Sequence, residues 1–262
     1  MTMRKYVDLL YERYLKKQCI HVPNHIAIIQ DGNRRFARMN KVDISMGHRL
    51  GAQTTERMLD WAQELGIKHI TLYTFSTENF KRGHEELEEL FCLFKEKITE
   101  VTTDKRVHKY KIRVKIIGDK KILPDDLCEC IEKAEAATKD YDNFYLNFAL
   151  AYGGRNEIVL AARSILTDVK KGILNPDEIK NSTVTECLHN GLNLPPVDLI
   201  VRTGNDNRTS NFLPWLANGN ESAVYFCAPY WPNFRKIDLL RGIRIYDQRV
   251  RSSHLPNVRV RN

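Results

Sequence analysis

Ile26 to Arg38 reads IAIIQDGNRRFAR. Its first four residues, Ile26-Ala27-Ile28-Ile29, have the length and β-branching of a buried strand. The run stops at Gln30-Asp31-Gly32-Asn33, a cluster of turn formers. Arg34, Arg35 and Arg38 follow at once. In open α/β sheets, ligands bind at the carboxyl ends of strands. A carboxylate there can hold Mg²⁺, which takes oxygen ligands and bridges to phosphate. Arginines beside it present planar donor forks to phosphate oxygens. The stretch suggests a Mg²⁺–diphosphate site. An ordinary strand-to-helix turn with a solvated basic helix start would read the same way, so the rest of the chain has to decide.

Downstream, Gly47-His48 opens a helix running to about Gln63. Leu50, Thr54, Met58 and Trp61 recur at helical spacing, and Gly66 serves as C-cap. A second strand, Ile70 to Phe75, ends in Ser76-Thr77-Glu78-Asn79-Phe80-Lys81-Arg82, again a polar junction with an arginine. Residues 85–101 form a helix whose Leu87, Leu90, Phe91, Phe94 and Ile98 make a wide apolar face. On the residues alone that face is core; the sharper reading is the wall of a hydrophobic tunnel. Strands follow at Arg113 to Gly118, Tyr145 to Leu150, Val197 to Val201 and Ala223 to Phe226. Helices at 125–139, about 156–170, 176–190 and 236–250 separate or follow them. Gly153-Gly154 before Arg155 could let backbone N–H groups approach an anion at a helix N-terminus. Upstream, residues 4–18 read as an amphipathic basic helix with Leu9, Leu10 and Tyr14 as its apolar stripe, suited to packing or to membrane proximity. The alternation predicts an α/β fold, a six-stranded, mostly parallel sheet covered on both faces.

The 262 residues show no linker, low-complexity run or repeat, which predicts a single domain over 1–262, with an N-terminal helix in 1–20 and a basic tail in 251–262. No run approaches the ~20 apolar residues of a membrane span, and the charged N-terminus lacks the apolar stretch of a signal peptide. The six cysteines are scattered. Cys128-x-Cys130 is too close and isolated for a zinc pattern, so six reduced thiols in a cytoplasmic protein is the expectation. A net charge of +8 fits nucleic acid, an anionic membrane surface or a polyanionic small molecule. The arginines beside the turns favour the small anion. Basic patches interleaved with aromatics, as in RNA-binding modules, are not evident, so no nucleic acid is expected.

A second cluster runs Arg202-Thr203-Gly204-Asn205-Asp206-Asn207-Arg208-Thr209-Ser210-Asn211. Two arginines held apart by a glycine turn can grip one diphosphate from two sides. Glu221 supplies another acid before the last strand. No G-x-G, no G-x-x-x-x-G-K and no nucleophile elbow is present, so the familiar nucleotide and hydrolase motifs do not explain the anion site.

HIAIIQDGNRRFAR, GHRLGAQT, TLYTFSTENFKR, LNFALAYGGRNEI and VRTGNDNRTSNFLPW, with the later ES and YWPNF, resemble in order the motifs of the cis-prenyltransferases, the undecaprenyl and dehydrodolichyl diphosphate synthase family. The resemblance covers about His21 to Arg251. It implies a six-stranded parallel sheet, a homodimer, and a hydrophobic tunnel with the 85–101 helix as one wall. It also implies Mg²⁺-dependent addition of isopentenyl diphosphate to an allylic prenyl diphosphate, making Z double bonds. By position, Asp31 resembles the carboxylate for Mg²⁺ and diphosphate, and Glu221 the second acid of the metal site. Gly32, Asn33, Arg34 and Arg35 resemble the allylic diphosphate cradle, and His48 reaches the same phosphates. Ser76, Asn79, Phe80 and Arg82 match the motif beside the reacting carbons. Arg202, Arg208 and Ser210 match the isopentenyl diphosphate grip, and Glu86 an acid that tethers a mobile loop. The departing diphosphate, or a relay through Asn79 and Ser76, is the expected route for the proton lost by the isopentenyl unit.

Some positions depart from the family pattern. Ile44 stands where bacterial members carry an arginine, leaving Arg38 or Lys41 to replace it. Gly204-Asn205-Asp206-Asn207-Arg208 has a shorter acid than the family's glutamate. Pro214 and the loss of an aromatic alter the segment before Glu221. The family's C-terminal R-x-G is not visible after Arg249. These departures leave three readings: an ordinary homodimeric synthase, a catalytic subunit of a heteromer, or an irregular enzyme that couples two allylic diphosphates. A long apolar product suggests work close to a membrane surface. Product length is expected to respond to substitutions near Phe91, Leu93 and Phe94.

Overall fold

The computed structural model describes residues 3–192, 194–217 and 222–253. Six strands form one sheet: β1 (His25–Ile29), β2 (His69–Ser76), β3 (Ile112–Ile117), β4 (Phe144–Tyr152), β5 (Leu199–Arg202) and β6 (Ala223–Phe226). Their order is β3-β4-β2-β1-β5-β6. Every pairing is parallel, so the sheet is wholly rather than mostly parallel. Parallel strands are covered on both faces and read as unbroken apolar runs; every residue of β1 is buried. Side chains alternate across a strand. Ile26 and Ile28 enter the larger core, with Met58, Leu90 and Trp231, while Ala27 and Ile29 enter a second core with Phe212 and Leu213.

The helices are α1 (Met3–Gln18), α2 (Asn33–Asn40), α3 (Ile44–Glu64), α4 (His84–Glu100), α5 (Lys105–Lys109), α6 (Asp125–Ala137), α7 (Gly154–Lys170), α8 (Asn181–Cys187) and α9 (Lys236–Ser253). α3 begins at Ile44 after Asp43, one turn before the expected start at Gly47. Asp43 is a preferred N-cap residue type, which marks that boundary better than the glycine does. The single helix expected over 176–190 is α8 flanked by two 3-10 turns. No helix separates β5 from β6 among the described residues.

The N-terminal helix is present, but its buried side differs from the expected stripe. Leu15 is fully buried and Tyr11 packs against the larger core, whereas Leu10 and Tyr14 are 47% and 53% exposed. Positions four apart share a helix face, and the row through 11 and 15 is the one turned inward. None of the described helices is long and apolar enough to cross a membrane. Most of the expected basic tail lies outside the described residues.

Candidate active site

The site is built where β1 and β5 end side by side. Thr203 Oγ1 donates to Asp31 O at 2.7 Å, and Trp231 N donates to the same carbonyl at 3.0 Å. These bonds fix the turn after β1. Gly32 sits at φ 111° and caps α2. A Cβ there would stand 2.7 Å from Tyr230 Cδ1, so both the conformation and the space demand glycine. α2 then starts at Asn33 with its first N–H groups open and the positive end of its dipole at the turn. α3 closes on α2 through two glycines. A Cβ on Gly47 would come within 2.6 Å of Asn33 O, and one on Gly51 within 2.5 Å of Asn33 Oδ1.

Asp31 is held by two guanidiniums. Arg202 Nη2 donates to its Oδ2 at 2.7 Å, and Arg35 Nη2 lies 3.0 Å from Oδ1. Burial works against the charge of Asp31, but the Arg202 hydrogen bond and the Arg35 charge outweigh it and hold the carboxyl below its ordinary range. A second hub is Glu86. Its Oε1 accepts from Arg82 Nη1 at 2.9 Å and stands 3.5 Å from both Arg34 Nε and His48 Nε2. Burial and the Arg82 charge push His48 down to about 4, with Glu86 opposing and Arg34 assisting. His48 is neutral at physiological pH.

The two arginines of the second cluster are not the symmetric pair the motif suggests. Arg202 is 3% exposed. Its Nη1 donates to Arg208 O at 2.6 Å and Ser210 Oγ at 2.5 Å, and its Nη2 also reaches Asp206 Oδ2 at 3.0 Å. The side chain of Arg208 is 69% exposed and lies 3.4 Å from Asp206. Arg202 thus organises the loop from within, and Arg208 projects from it. Asn205, Ser210, Asn211 and Leu213 all adopt positive φ, a concentration of unusual backbone typical of functional loops.

Gly153-Gly154 is a correction. A Cβ on Gly154 would lie 2.2 Å from Pro214 Cδ. Gly154 N donates to Asn211 O, and Arg155 N to Asn211 Oδ1, both at 2.9 Å. The glycines admit the 203–214 loop, and that loop takes the N–H groups expected to serve an anion.

These elements surround a cavity of about 980 Å³. Its mouth carries Asp31, Gly32, Asn33, Arg34, Arg35 and His48. Ser76, Asn79, Arg82, Arg202, Arg208 and Ser210 complete that rim. Deeper in, Leu90, Leu93, Phe94 and Ile98 of α4 face Leu146, Phe148 and Leu150 of β4. The apolar face of α4 is therefore both core and cavity wall. Phe80 does not line the cavity. Its ring packs edge-on against Phe75 at 4.9 Å, which buttresses α4 from behind. Glu221 lies outside the described residues. Of the two cations expected to replace the arginine missing at Ile44, Arg38 lines the cavity and Lys41 does not.

Sequence reasoning missed Tyr73, which lines the cavity and stacks on Phe212 at 4.5 Å. Nothing distinguishes it from a core strand residue in sequence. It also undervalued Asp206, whose Oδ2 gathers Arg202, Arg208 and, at 3.8 Å, Arg35. The signal was there, as the shortened acid in the Gly204–Arg208 motif.

No three His, Cys, Asp or Glu side chains converge among the described residues. Asp31, at the cavity mouth with arginines around it, suits Mg²⁺ in the way a single carboxylate does when phosphate oxygens and water complete the shell.

A cationic mouth over an apolar cavity, at the carboxyl ends of a parallel sheet, defines an enzyme that handles a lipid-like diphosphate. The chain belongs to the undecaprenyl diphosphate synthase family: residues 29–253 match the family model described as putative undecaprenyl diphosphate synthase. Tritrans,polycis-undecaprenyl-diphosphate synthase (geranylgeranyl-diphosphate specific) from Methanosarcina mazei is 49% identical over 244 residues, covering 91% of this chain and 82% of that protein. The protein of the same name from Pyrococcus horikoshii is 47% identical, covering 92% and 91%. The crystal structure of lavandulyl diphosphate synthase from Lavandula x intermedia in complex with dimethylallyl diphosphate superposes with a TM-score of 0.79. It is 34% identical and covers 86% of this chain and 95% of that one. The protein described here is thus a cis-prenyltransferase, an enzyme that condenses isopentenyl diphosphate with an allylic prenyl diphosphate in the Z configuration.

Proposed function

We propose that the mouth of the cavity binds the diphosphate of an allylic starter, with geranylgeranyl diphosphate as that starter, and that the growing chain lies in the apolar cavity. One observation carries the reading. Asn33 Oδ1, Arg34 Nε, His48 Nε2 and Arg202 Nε are buried without a hydrogen-bond partner among the described residues, and all four side chains border the mouth. Buried polar atoms are normally satisfied, so their concentration here marks a place for a polar ligand. The starter is suggested by the geranylgeranyl-diphosphate-specific relatives.

In this reading Asp31 holds Mg²⁺, with Glu221 as the second acid. The ion supplies Lewis-acid stabilisation of charge on the departing diphosphate. Arg34, Arg35, Arg82 and the dipole of α2 face the same charge. Each interaction strengthens as the allylic C–O bond breaks, which is the condition for lowering the barrier. His48, neutral, donates or accepts a hydrogen bond without adding charge. Arg208 and Ser210 grip the isopentenyl diphosphate, and Arg202 holds their loop and presents its Nε. The apolar cavity keeps water from the carbocation-like centre. The proton from the isopentenyl unit leaves to the departing diphosphate or through Asn79 and Ser76.

A homodimer is the proposed assembly, and α7 leaves Val159, Leu160 and Leu166 on its surface for it. The outward row of α1 sets Tyr6, Leu10 and Tyr14 beside exposed Arg13 and Lys17. Aromatic and apolar groups mixed with cations suit an anionic membrane surface. The likeness to lavandulyl diphosphate synthase supports a second reading, irregular coupling of two allylic diphosphates.

One experiment separates these readings. The purified chain is incubated with Mg²⁺, isopentenyl diphosphate and a panel of allylic diphosphates, and in parallel with dimethylallyl diphosphate alone, with Asp31→Ala as control. A Z-polyprenyl ladder that requires isopentenyl diphosphate, longest from geranylgeranyl diphosphate, is expected. Product from dimethylallyl diphosphate alone would replace this reading with irregular coupling. Activity that appears only on adding a second subunit would replace the homodimer.

A further inference from the structure

Three stretches far apart in the chain meet at the guanidinium of Arg35. α2 carries Arg35 in its first turn, beside Asp31. The turn after β5 brings Gly204, where a Cβ would stand 2.6 Å from Arg35 Nη2. The stretch after β6 brings Tyr230, with Arg35 Cζ over its ring, 5.3 Å from the centre. Backbone bonds on either side of Tyr230 fasten the three stretches together. Gly204 N donates to Pro229 O at 2.8 Å, and Trp231 N donates to Asp31 O at 3.0 Å. Tyr230 has little room to turn away, because its Cα, Cβ and Cδ1 lie within 3.0 Å of where a Cβ on Gly32 would be.

Tyr230 does not line the cavity, whereas Arg35 does. What Tyr230 does for a ligand it therefore does through Arg35. The other partners of Arg35 hold it differently. Asp31 Oδ1 and Asp206 Oδ2, at 3.0 and 3.8 Å, both draw on Nη2 at the edge of the guanidinium. Such contacts use the N–H donors that a phosphate needs. An aromatic ring holds a cation by its flat side and leaves the edge donors free.

We propose that Tyr230 is a positioning residue, whose ring fixes the plane of the Arg35 guanidinium so that its edge donors meet the diphosphate of the allylic substrate. The inference rests on the reading of the mouth as the site of that diphosphate. The side chain of Arg35 is 40% exposed. A long side chain loose at such a surface loses rotamer entropy each time a ligand orders it. With the ring against it, Arg35 is ordered before the ligand arrives.

The test uses the full chain with Tyr230→Phe, which keeps the ring, and with Tyr230→Leu and Tyr230→Met, which remove it. Each is also made in an Arg35→Met background, and circular dichroism and melting confirm that each folds. Two readouts need no turnover: the Nε–Hε resonance of Arg35, assigned by its loss in Arg35→Met, and calorimetric titration with inorganic diphosphate in the absence of Mg²⁺. Without the ring, the resonance is expected to lose its ring-current shift and to exchange faster with water. Inorganic diphosphate is expected to bind about fivefold more weakly, the factor that corresponds to a contact of about 1 kcal/mol. The KM of the allylic substrate rises with it, while that of isopentenyl diphosphate moves by less than about twofold. Tyr230→Phe restores the wild-type values. In the Arg35→Met background, removing the ring adds less than about twofold, because the residue it acts through is gone. Equal losses in both backgrounds, or in Tyr230→Phe and Tyr230→Leu alike, would overturn the proposal, since the ring would then support the turn and not the guanidinium. If inorganic diphosphate binds wild type and Arg35→Met alike, the diphosphate reading of Arg35 fails instead, and a resonance that still follows the ring upholds the hold of Tyr230 on the guanidinium.

Discussion

Arg202 Nη2 donates to Asp31 Oδ2 at 2.7 Å, across 171 residues of chain. Arg202 is almost fully buried, and its charge is matched by Asp31 and Asp206 together.

Asp31→Asn is expected to lower kcat by about 10²- to 10³-fold, the scale seen when one preorganised electrostatic group is removed, while circular dichroism stays that of the wild type. The acid dependence has a definite sign. The folded value of Asp31 lies below its ordinary one, so its contribution to stability is present above the unfolded value of about 3.9 and is lost as pH falls through the folded value. Urea denaturation at descending pH should show the gap between wild type and Asp31→Asn closing in acid. A gap that widens there would contradict the assignment.

His48 should titrate near 4 in the folded protein, as burial and the Arg82 charge require. Stability linked to His48 is complete above the unfolded value of about 6.5 and declines as pH falls toward the folded value. Arg82→Met is expected to raise the midpoint and Glu86→Gln to lower it, because the first charge opposes protonation and the second assists it. NMR of the imidazole nitrogens reads this directly. A wild-type midpoint near 6.5 would be the contrary result.

Gly47→Ala places a methyl 2.6 Å from Asn33 O, a backbone atom that no side-chain rotation can move. α3 and α2 must separate, at a cost of about 1–3 kcal/mol, and the KM for the allylic substrate should rise with it. Gly83→Ala is the matched control. A Cβ there meets nothing within 4 Å, φ is −60°, and stability should move by no more than about 0.5 kcal/mol. Equal effects at the two positions would remove the argument from helix approach.

Asn79 Oδ1 accepts the Ser76 backbone N–H at 3.0 Å and so caps the turn after β2. This structural duty competes with the proton relay as the reason for the pair. Asn79→Asp separates them, since it keeps the acceptor and loses the amide donor. Turnover should fall with KM and melting temperature preserved. Undiminished turnover in Asn79→Asp would leave the departing diphosphate as the base.

All six strands are legible in the chain because buried parallel strands are continuous apolar runs bounded by turn formers. The Asp31 turn is legible because its residues do local work. What was misread depended on neighbours distant in sequence. Gly153-Gly154 advertises an open backbone, but only the fold reveals Pro214 and Asn211 filling it. Arg202 and Arg208 look equivalent in a motif, yet one follows a buried strand inward and the other leaves on a loop. The α1 stripe was ambiguous for a simpler reason: it is apolar on two sides, and the chain does not say which side α9 covers. α5 is too short to show a periodic pattern.

β1 pairs with β2 on one flank and with β5 on the other, Ile29 standing opposite both Tyr73 and Arg202. The first partner is made soon after β1, the second only after most of the chain has left the ribosome. Until β5 arrives, the strand that carries Asp31 presents a bare edge, the kind of surface that invites mispairing during slow, non-local folding. A nascent chain that has already produced the whole allylic turn still has no Arg202 to place beside it. The turn that carries Asp31 is complete only when β5, and after it Tyr230 and Trp231, have been placed against it.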